Sequence, residues 1–193
     1  MSRLSFLAFL IIAIPANAVY ASTCNFNQPG YVINRFVDND DGTVQDSVTG
    51  LTWQKCIMGD IWNTELNTCV RDDIADVSHE WKAALSKIQD FNNDEFSNGR
   101  LYDWRLPNIK ELSSIVSTTC SYPAIDDSVF HTEYFELWSS TPSATLVPNI
   151  QNNSGPTYVY ENYIWGVNLQ TGREFREPLS SKNAVRLVRG ISE

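Results

Sequence analysis

Four cysteines, Cys24, Cys56, Cys69 and Cys120, stand behind an apolar leader, and no other feature constrains the fold as much. Arg3 precedes residues 4–14, of which ten in eleven are apolar, and Pro15, Ala16, Ala18 and Ala21 follow. That pattern is a secretory signal peptide, too short for the about 20 residues a bilayer span needs. Residues 1–21 are therefore expected to be removed, after Ala18 or Ala21, leaving residues 22–193 as a single domain that does not span a membrane. The expected destination is the exterior, the cell surface or the periplasm. There an even number of cysteines implies disulfides. Three pairings are open. Cys56 with Cys69 is favoured because they flank a short Gly/Asn/Asp-rich segment that can fold back on itself, which leaves Cys24 with Cys120. A zinc site lacks support, because no Cys-x-x-Cys or closely spaced His is present.

The full chain carries a net charge of −9, and losing the leader removes one Arg and no acidic residue. Nucleic acid, which is bound through phosphate neutralisation, is thereby excluded as an expected partner. Anionic polymers are repelled at long range unless basic residues gather on one face.

Three stretches carry the structural signal: DNDDGTVQDSVTGLTWQKC (38–56), DWRLPNIKELSSIV (103–116), and WSSTP (138–142) with the terminal VRLVRG (185–190). In the first, Asp41-Gly42 and Thr49-Gly50 separate short β-forming runs, which predicts an antiparallel meander. An EF-hand reading of Asp38, Asp40 and Asp41 fails, because the spacing is out of register and the bidentate Glu at loop position 12 is missing. A first helix is predicted with Ser78 as N-cap, Glu80 at its positive end, an apolar stripe of Trp81, Ala84, Leu85, Ile88 and Phe91, and an end among Asn92, Asn93 and Asp94. A second begins at Asn108, whose spacing to Glu111 suits a capping box, with Ile109, Leu112, Ile115 and Val116 as its stripe. Trp104 and Leu106 are expected to anchor its entry, and Asp103 to pair with Arg105.

Beyond Cys120 the pattern returns to strands: 135–140 ended by Pro142, a polar Asn-rich loop over 143–156, strands over 158–169 and 173–175, and an alternating strand over 184–188. The fold class is α+β: an N-terminal β meander, two helices, then a C-terminal antiparallel sheet with long loops, both termini lying at a sheet.

DGTVQDSVTGLTWQKC, DWRLPNIKELSSIV, the Cys120-Ser-Tyr-Pro-Ala-Ile-Asp segment leading to Phe130, WSSTP and VRLVRG together resemble the bacterial Lcl C-terminal domain family, also called DUF1566. The resemblance spans residues 31–190. It implies a C-type-lectin-like architecture and a surface or secreted protein of adhesin type that contacts other surfaces, and a homo-oligomer is compatible with it. No ligand residue carries over from it one for one.

The residues point away from an enzyme. His79, expected in the first turn of a helix, and His131, in a loop, suit solvated or structural roles. A triad drawn from Ser128, His131 and Glu133 has no nucleophile turn or oxyanion donor beside it. No cofactor and no metal site is expected. Of six Trp, Trp53, Trp81, Trp104, Trp138 and Trp165 are expected in the core. Tyr158 and Tyr160 flank the Asn-rich loop and are the candidate binding residues, with Asn149, Asn152 and Asn153 as hydrogen-bonding partners. The expected function is recognition of a glycan or a surface protein. The alternative is a structural or assembly component of a bacterial appendage such as a pilus.

Overall fold

A computed structural model describes residues 23–25, 32, 34–71, 76–97, 103–131, 133–149 and 157–190; the expected signal peptide lies outside them. Among these residues the chain forms thirteen strands and two helices in an α+β arrangement.

The meander forms as predicted. Strands β2 (Phe36–Asp38), β3 (Thr43–Asp46) and β4 (Thr52–Gln54) pair in sequence order, and β13 (Val188–Arg189) adds to β4 to complete a four-stranded sheet. The aspartates make turns. Asp38 Oδ1 accepts from the Asp40 N–H at 2.9 Å, and Asp41 Oδ1 accepts from the Thr43 N–H at 3.0 Å. Asp46 is fully buried and closes the second turn. It accepts two bonds from Arg35, at 2.9 and 2.7 Å, one from the Thr49 hydroxyl at 2.7 Å, and one from the Val48 N–H at 3.0 Å.

Both disulfides close in the expected pairing, Cys56–Cys69 and Cys24–Cys120. The first staples a hairpin of β5 (Asp60–Asn63) and β6 (Thr68–Arg71), and the second joins β1 (Thr23–Cys24) to β8 (Cys120–Ser121).

The first helix departs from expectation at both ends. Ser78 lies in strand β7 (Ser78–Glu80), whose ladder to β12 (Lys182–Ala184) holds Ser78, His79 and Glu80 extended, so Ser78 is no N-cap and α1 spans Trp81–Ser97. His79 is correspondingly buried in a sheet instead of standing in a first helical turn. The helix passes through Asn92 because that carboxamide does not compete for its own backbone. It donates to Trp104 O at 2.8 Å and accepts from the Trp104 N–H at 3.1 Å. Ala84 and Ile88 face the core, whereas Leu85, expected in the stripe, is 39% exposed.

Helix α2 (Ile109–Ser114) starts at Asn108 with both halves of the capping box made. Arg105 does not pair with Asp103. Glu111, held by the cap, presents both oxygens to the Arg105 fork at 2.8 Å each, and that fork keeps the Glu111 carboxyl below its ordinary value.

A second sheet runs in the order β11-β10-β9-β12-β7. Strand β9 (Glu136–Asn149) does not stop at Pro142, and residues 143–149, expected in a loop, continue its ladder with β10 (Thr157–Asn168). The register shifts between Ile164 and Gly166, where WSSTP forms a bulge. Ser139 Oγ donates to Trp165 O at 2.6 Å, Ser140 N–H to Pro107 O at 2.8 Å, and Thr141 Oγ1 accepts the Ile109 N–H at 2.9 Å. The motif thus clamps the entry of α2. Beyond it, among the described residues, β9 pairs only with β10, and on such an edge Pro142 and Pro148 forfeit no further ladder bond.

Strand β11 (Arg173–Pro178) crosses Gly166 so closely that an added Cβ would lie 2.3 Å from Phe175 Cζ and 2.6 Å from Leu137 O. Gly166→Ala is expected to cost about 2–3 kcal/mol, because the Leu137 carbonyl belongs to a buried strand that cannot retreat. A chemical-denaturation shift below about 0.5 kcal/mol would contradict this close packing.

Residues 184–188 do not form one alternating strand. Residues 183–188 are buried throughout and pass from β12 in one sheet to β13 in the other. Val188 and Arg105 exchange backbone bonds of 2.9 and 3.0 Å, so the terminal motif also holds the DWRLP segment. Of the tryptophans expected inside, Trp53, Trp104 and Trp138 are at most 3% exposed, while Trp81 and Trp165 are half-buried.

Candidate functional site

The disulfide-stapled hairpin β5–β6 stands between two clefts that share Asp60. The larger, about 570 Å³, is walled by the Asp41-Gly42-Thr43 turn, Gln54 of β4, the Cys56–Trp62 stretch, Phe91 of α1, Trp104 and Leu187. Its shape depends on Gly42, which has φ +86°, and whose missing Cβ would sit 2.6 Å from Trp62 Cβ, so the turn packs flush against the indole. Below the indole, Lys55 Nζ lies 4.0 Å from the ring centroid and bonds Asp38. That ammonium is committed to both partners.

Two polar groups in this wall lack a protein partner among the described residues: the half-buried Gln54 carboxamide and the Asp41 Oδ2 atom. Asp60, by contrast, is spent. Both its oxygens are held by Arg71, at 2.7 and 2.9 Å. Beside these groups Ile61 is 65% exposed, on a strand whose position the disulfide fixes.

The second cleft, about 380 Å³, is lined by Asp60, Thr68, Cys69, Arg71, Asp127, His131 and Glu133. It is charged yet largely self-paired. Burial lowers the His131 pKa, and positive Lys55 and Arg186 lower it further, so this imidazole is neutral near pH 7. Ser128 donates its hydroxyl to Asp126 at 2.5 Å. Behind this wall Arg186 is 0% exposed and lies over the Phe130 ring at 5.1 Å. Its Nη1 donates to the Gln54 and Lys55 carbonyls, while Nε and Nη2 find no acceptor among the described residues. Burial pushes this guanidinium down to about 9. Its place on a terminal motif that reads as an alternating strand concealed it from sequence reasoning.

The candidate residues named from sequence fall elsewhere. Asn149 ends β9, and the ladder sets Tyr158 opposite Pro148 and Tyr160 opposite Leu146 in a two-stranded ribbon. Asn152 and Asn153 lie outside the described residues. Sequence reasoning missed Trp62, Ile61 and Gln54. The available signal was Trp62 itself, lying inside the Cys56–Cys69 loop that the favoured pairing predicts to be stapled.

Among the described residues no helix is long and apolar enough to cross a membrane, and no group of three or more His, Cys, Asp or Glu is placed to hold a metal ion. Two disulfides, interlocked sheets and an open cleft of mixed lining define a stapled α+β domain built around a surface cavity. The chain belongs to the Lcl C-terminal domain family, whose model matches residues 42–189. No curated protein and no solved structure matches it. The matched span begins at Gly42 and ends at Arg189, so it contains the cleft almost entirely.

Proposed function

We propose that this chain is a non-catalytic, adhesin-like recognition domain of C-type-lectin-like architecture, exported to the cell surface, the periplasm or the medium, and that its cleft binds a glycan. The observation that carries this reading is that Gln54 and Asp41, with polar atoms that no protein group among the described residues takes up, share a wall with the apolar Ile61–Trp62 pair on a stapled hairpin. A sugar presents an edge of hydroxyls and an apolar ring face, and such a wall meets both. Family membership and the two disulfides support an extracytoplasmic surface role. Tyr158, Tyr160 and Asn149, with Asn152 and Asn153 outside the described residues, are a second proposed set of contact residues.

An assembly role in an appendage draws support from the unshared edge of β9 beyond the bulge. Pro142 and Pro148, which remove two backbone donors from that edge, oppose strand addition there, which favours recognition over polymerisation.

Ile61→Asp and Gln54→Ala tests the cleft on an immobilised-glycan array. Each is expected to weaken binding by about tenfold, the scale of one lost hydrogen bond or apolar contact, with the melting temperature nearly unchanged, because Ile61 is exposed and Gln54 half-buried. Binding that survives both changes but is lost in Tyr158→Ala with Tyr160→Ala moves the site to the ribbon. Capture of a surface protein with no glycan bound replaces the ligand class.

A further inference from the structure

The cleft's chemistry narrows the ligand further, and this step rests on the glycan reading above. We infer that the cleft takes an uncharged, hydroxyl-rich sugar and selects against sulfated or otherwise anionic ones.

The reason is the disposition of charge. No Lys, Arg or His lines the cleft. Two cations of the hairpin region are engaged: Lys55 bonds Asp38 beneath the Trp62 ring, and Arg71 grips Asp60 through Nε and Nη2. Neither can turn to a sulfate without abandoning a carboxylate, and Lys55 is 4% exposed. A sulfate placed here would meet no counter-charge in the lining, and the Asp41 carboxylate in the same wall would repel it. The −9 charge of the chain adds repulsion before contact.

What remains available suits hydroxyls. Asp41 Oδ1 is occupied by the Thr43 N–H and hydroxyl, which aims the carboxylate and leaves Oδ2 as an acceptor. Gln54 supplies one acceptor and two donors from its carboxamide. An acceptor-only oxygen beside an amide matches vicinal hydroxyls, each of which can donate to one and accept from the other. Ile61 and the Trp62 edge then cover the ring face that carries no hydroxyl.

The test is titration of the full chain with one neutral oligosaccharide series and the sulfated derivatives of the same backbones, at low and high salt, with Asp41→Asn as the variant. Asn retains the Oδ1 acceptor that holds Thr43, so the turn persists, and the melting temperature checks this. Expected are binding of a neutral member, about tenfold or more weaker binding of its sulfated form, a gap that narrows as salt screens the repulsion, and a narrower gap in the variant. Equal or tighter binding of the sulfated form overturns the selectivity and leaves glycan recognition standing. A gap that persists unchanged in Asp41→Asn and at high salt also overturns it, since the discrimination then lies outside this charge. No binding to either series overturns the inference together with the reading beneath it.

Discussion

A Cys24→Ser, Cys120→Ser double variant is expected to lose about 4.7 kcal/mol of stability, the loop-closure entropy of a cross-link spanning about a hundred residues. The bridge closes a separation of 96 residues that contains strands β2, β3 and β4 of the meander, the stapled hairpin and both helices. Among the described residues strands β1 and β8 share two residue pairs, Thr23 with Ser121 and Cys24 with Cys120. On the loop-entropy account the effect acts on the denatured ensemble more than on the folded state, and replacing both cysteines leaves no stray thiol. Domains of this size are stable by about 5–15 kcal/mol, so the variant approaches the margin. Urea denaturation reads the change. The matching variant of Cys56 and Cys69, whose separation is 13, is expected to lose about 3 kcal/mol. Equal losses for the two bridges would refute the entropic account, and a loss under about 1 kcal/mol for the long one would show that the reduced chain already holds its ends together.

Asp46→Ala is expected to cost about 3 kcal/mol, the lower end for breaking a buried pair. Four bonds end on this carboxylate, and Arg35, 20% exposed along its side chain, can recover some hydration when they are lost. Burial pushes the Asp46 pKa up, but the Arg35 guanidinium, the Thr49 hydroxyl and the Val48 N–H together outweigh it and hold the group below its ordinary value of 3.8. The sign follows directly. A carboxyl depressed in the folded state contributes stability that is whole above the ordinary value and is lost as pH falls through the depressed one. Denaturation midpoints of the parent should therefore decline below about pH 4, and that decline should be shallower in the variant. A parallel pH profile in the two proteins would mean that the pair contributes nothing to acid stability. Asp46→Asn separates charge from shape: it keeps one acceptor and should lie between the parent and the alanine variant.

Legibility in the sequence followed the range of the interactions. Asn108 with Glu111, the Asp41-Gly42 turn and the Cys56–Cys69 staple are each decided by residues close in the chain, and each forms as expected. Ser78 looked like a cap because capping chemistry is local, but its partner in the structure is Ala184, more than a hundred residues away. Pro142 looked like a strand end. It follows a bulge whose stabilising contacts come from Pro107 and Ile109, which nothing near residue 142 announces. Arg186 is the extreme case, since its burial depends on carbonyls of residues 54 and 55 and the ring of Phe130. The cleft was invisible for the same reason: it is walled by a turn, a stapled hairpin, a helix and the terminal crossover, which no window of sequence contains together.

That crossover governs when folding can finish. Its residues lie in the interiors of both sheets, and the ribosome adds them after every element they join. Neither half of the interior can be completed on a nascent chain, and contacts of such long range are slow to form even afterwards. The polypeptide thus stays open until residues 183–188 emerge, a condition in which it can be threaded through a narrow channel without first being pulled apart.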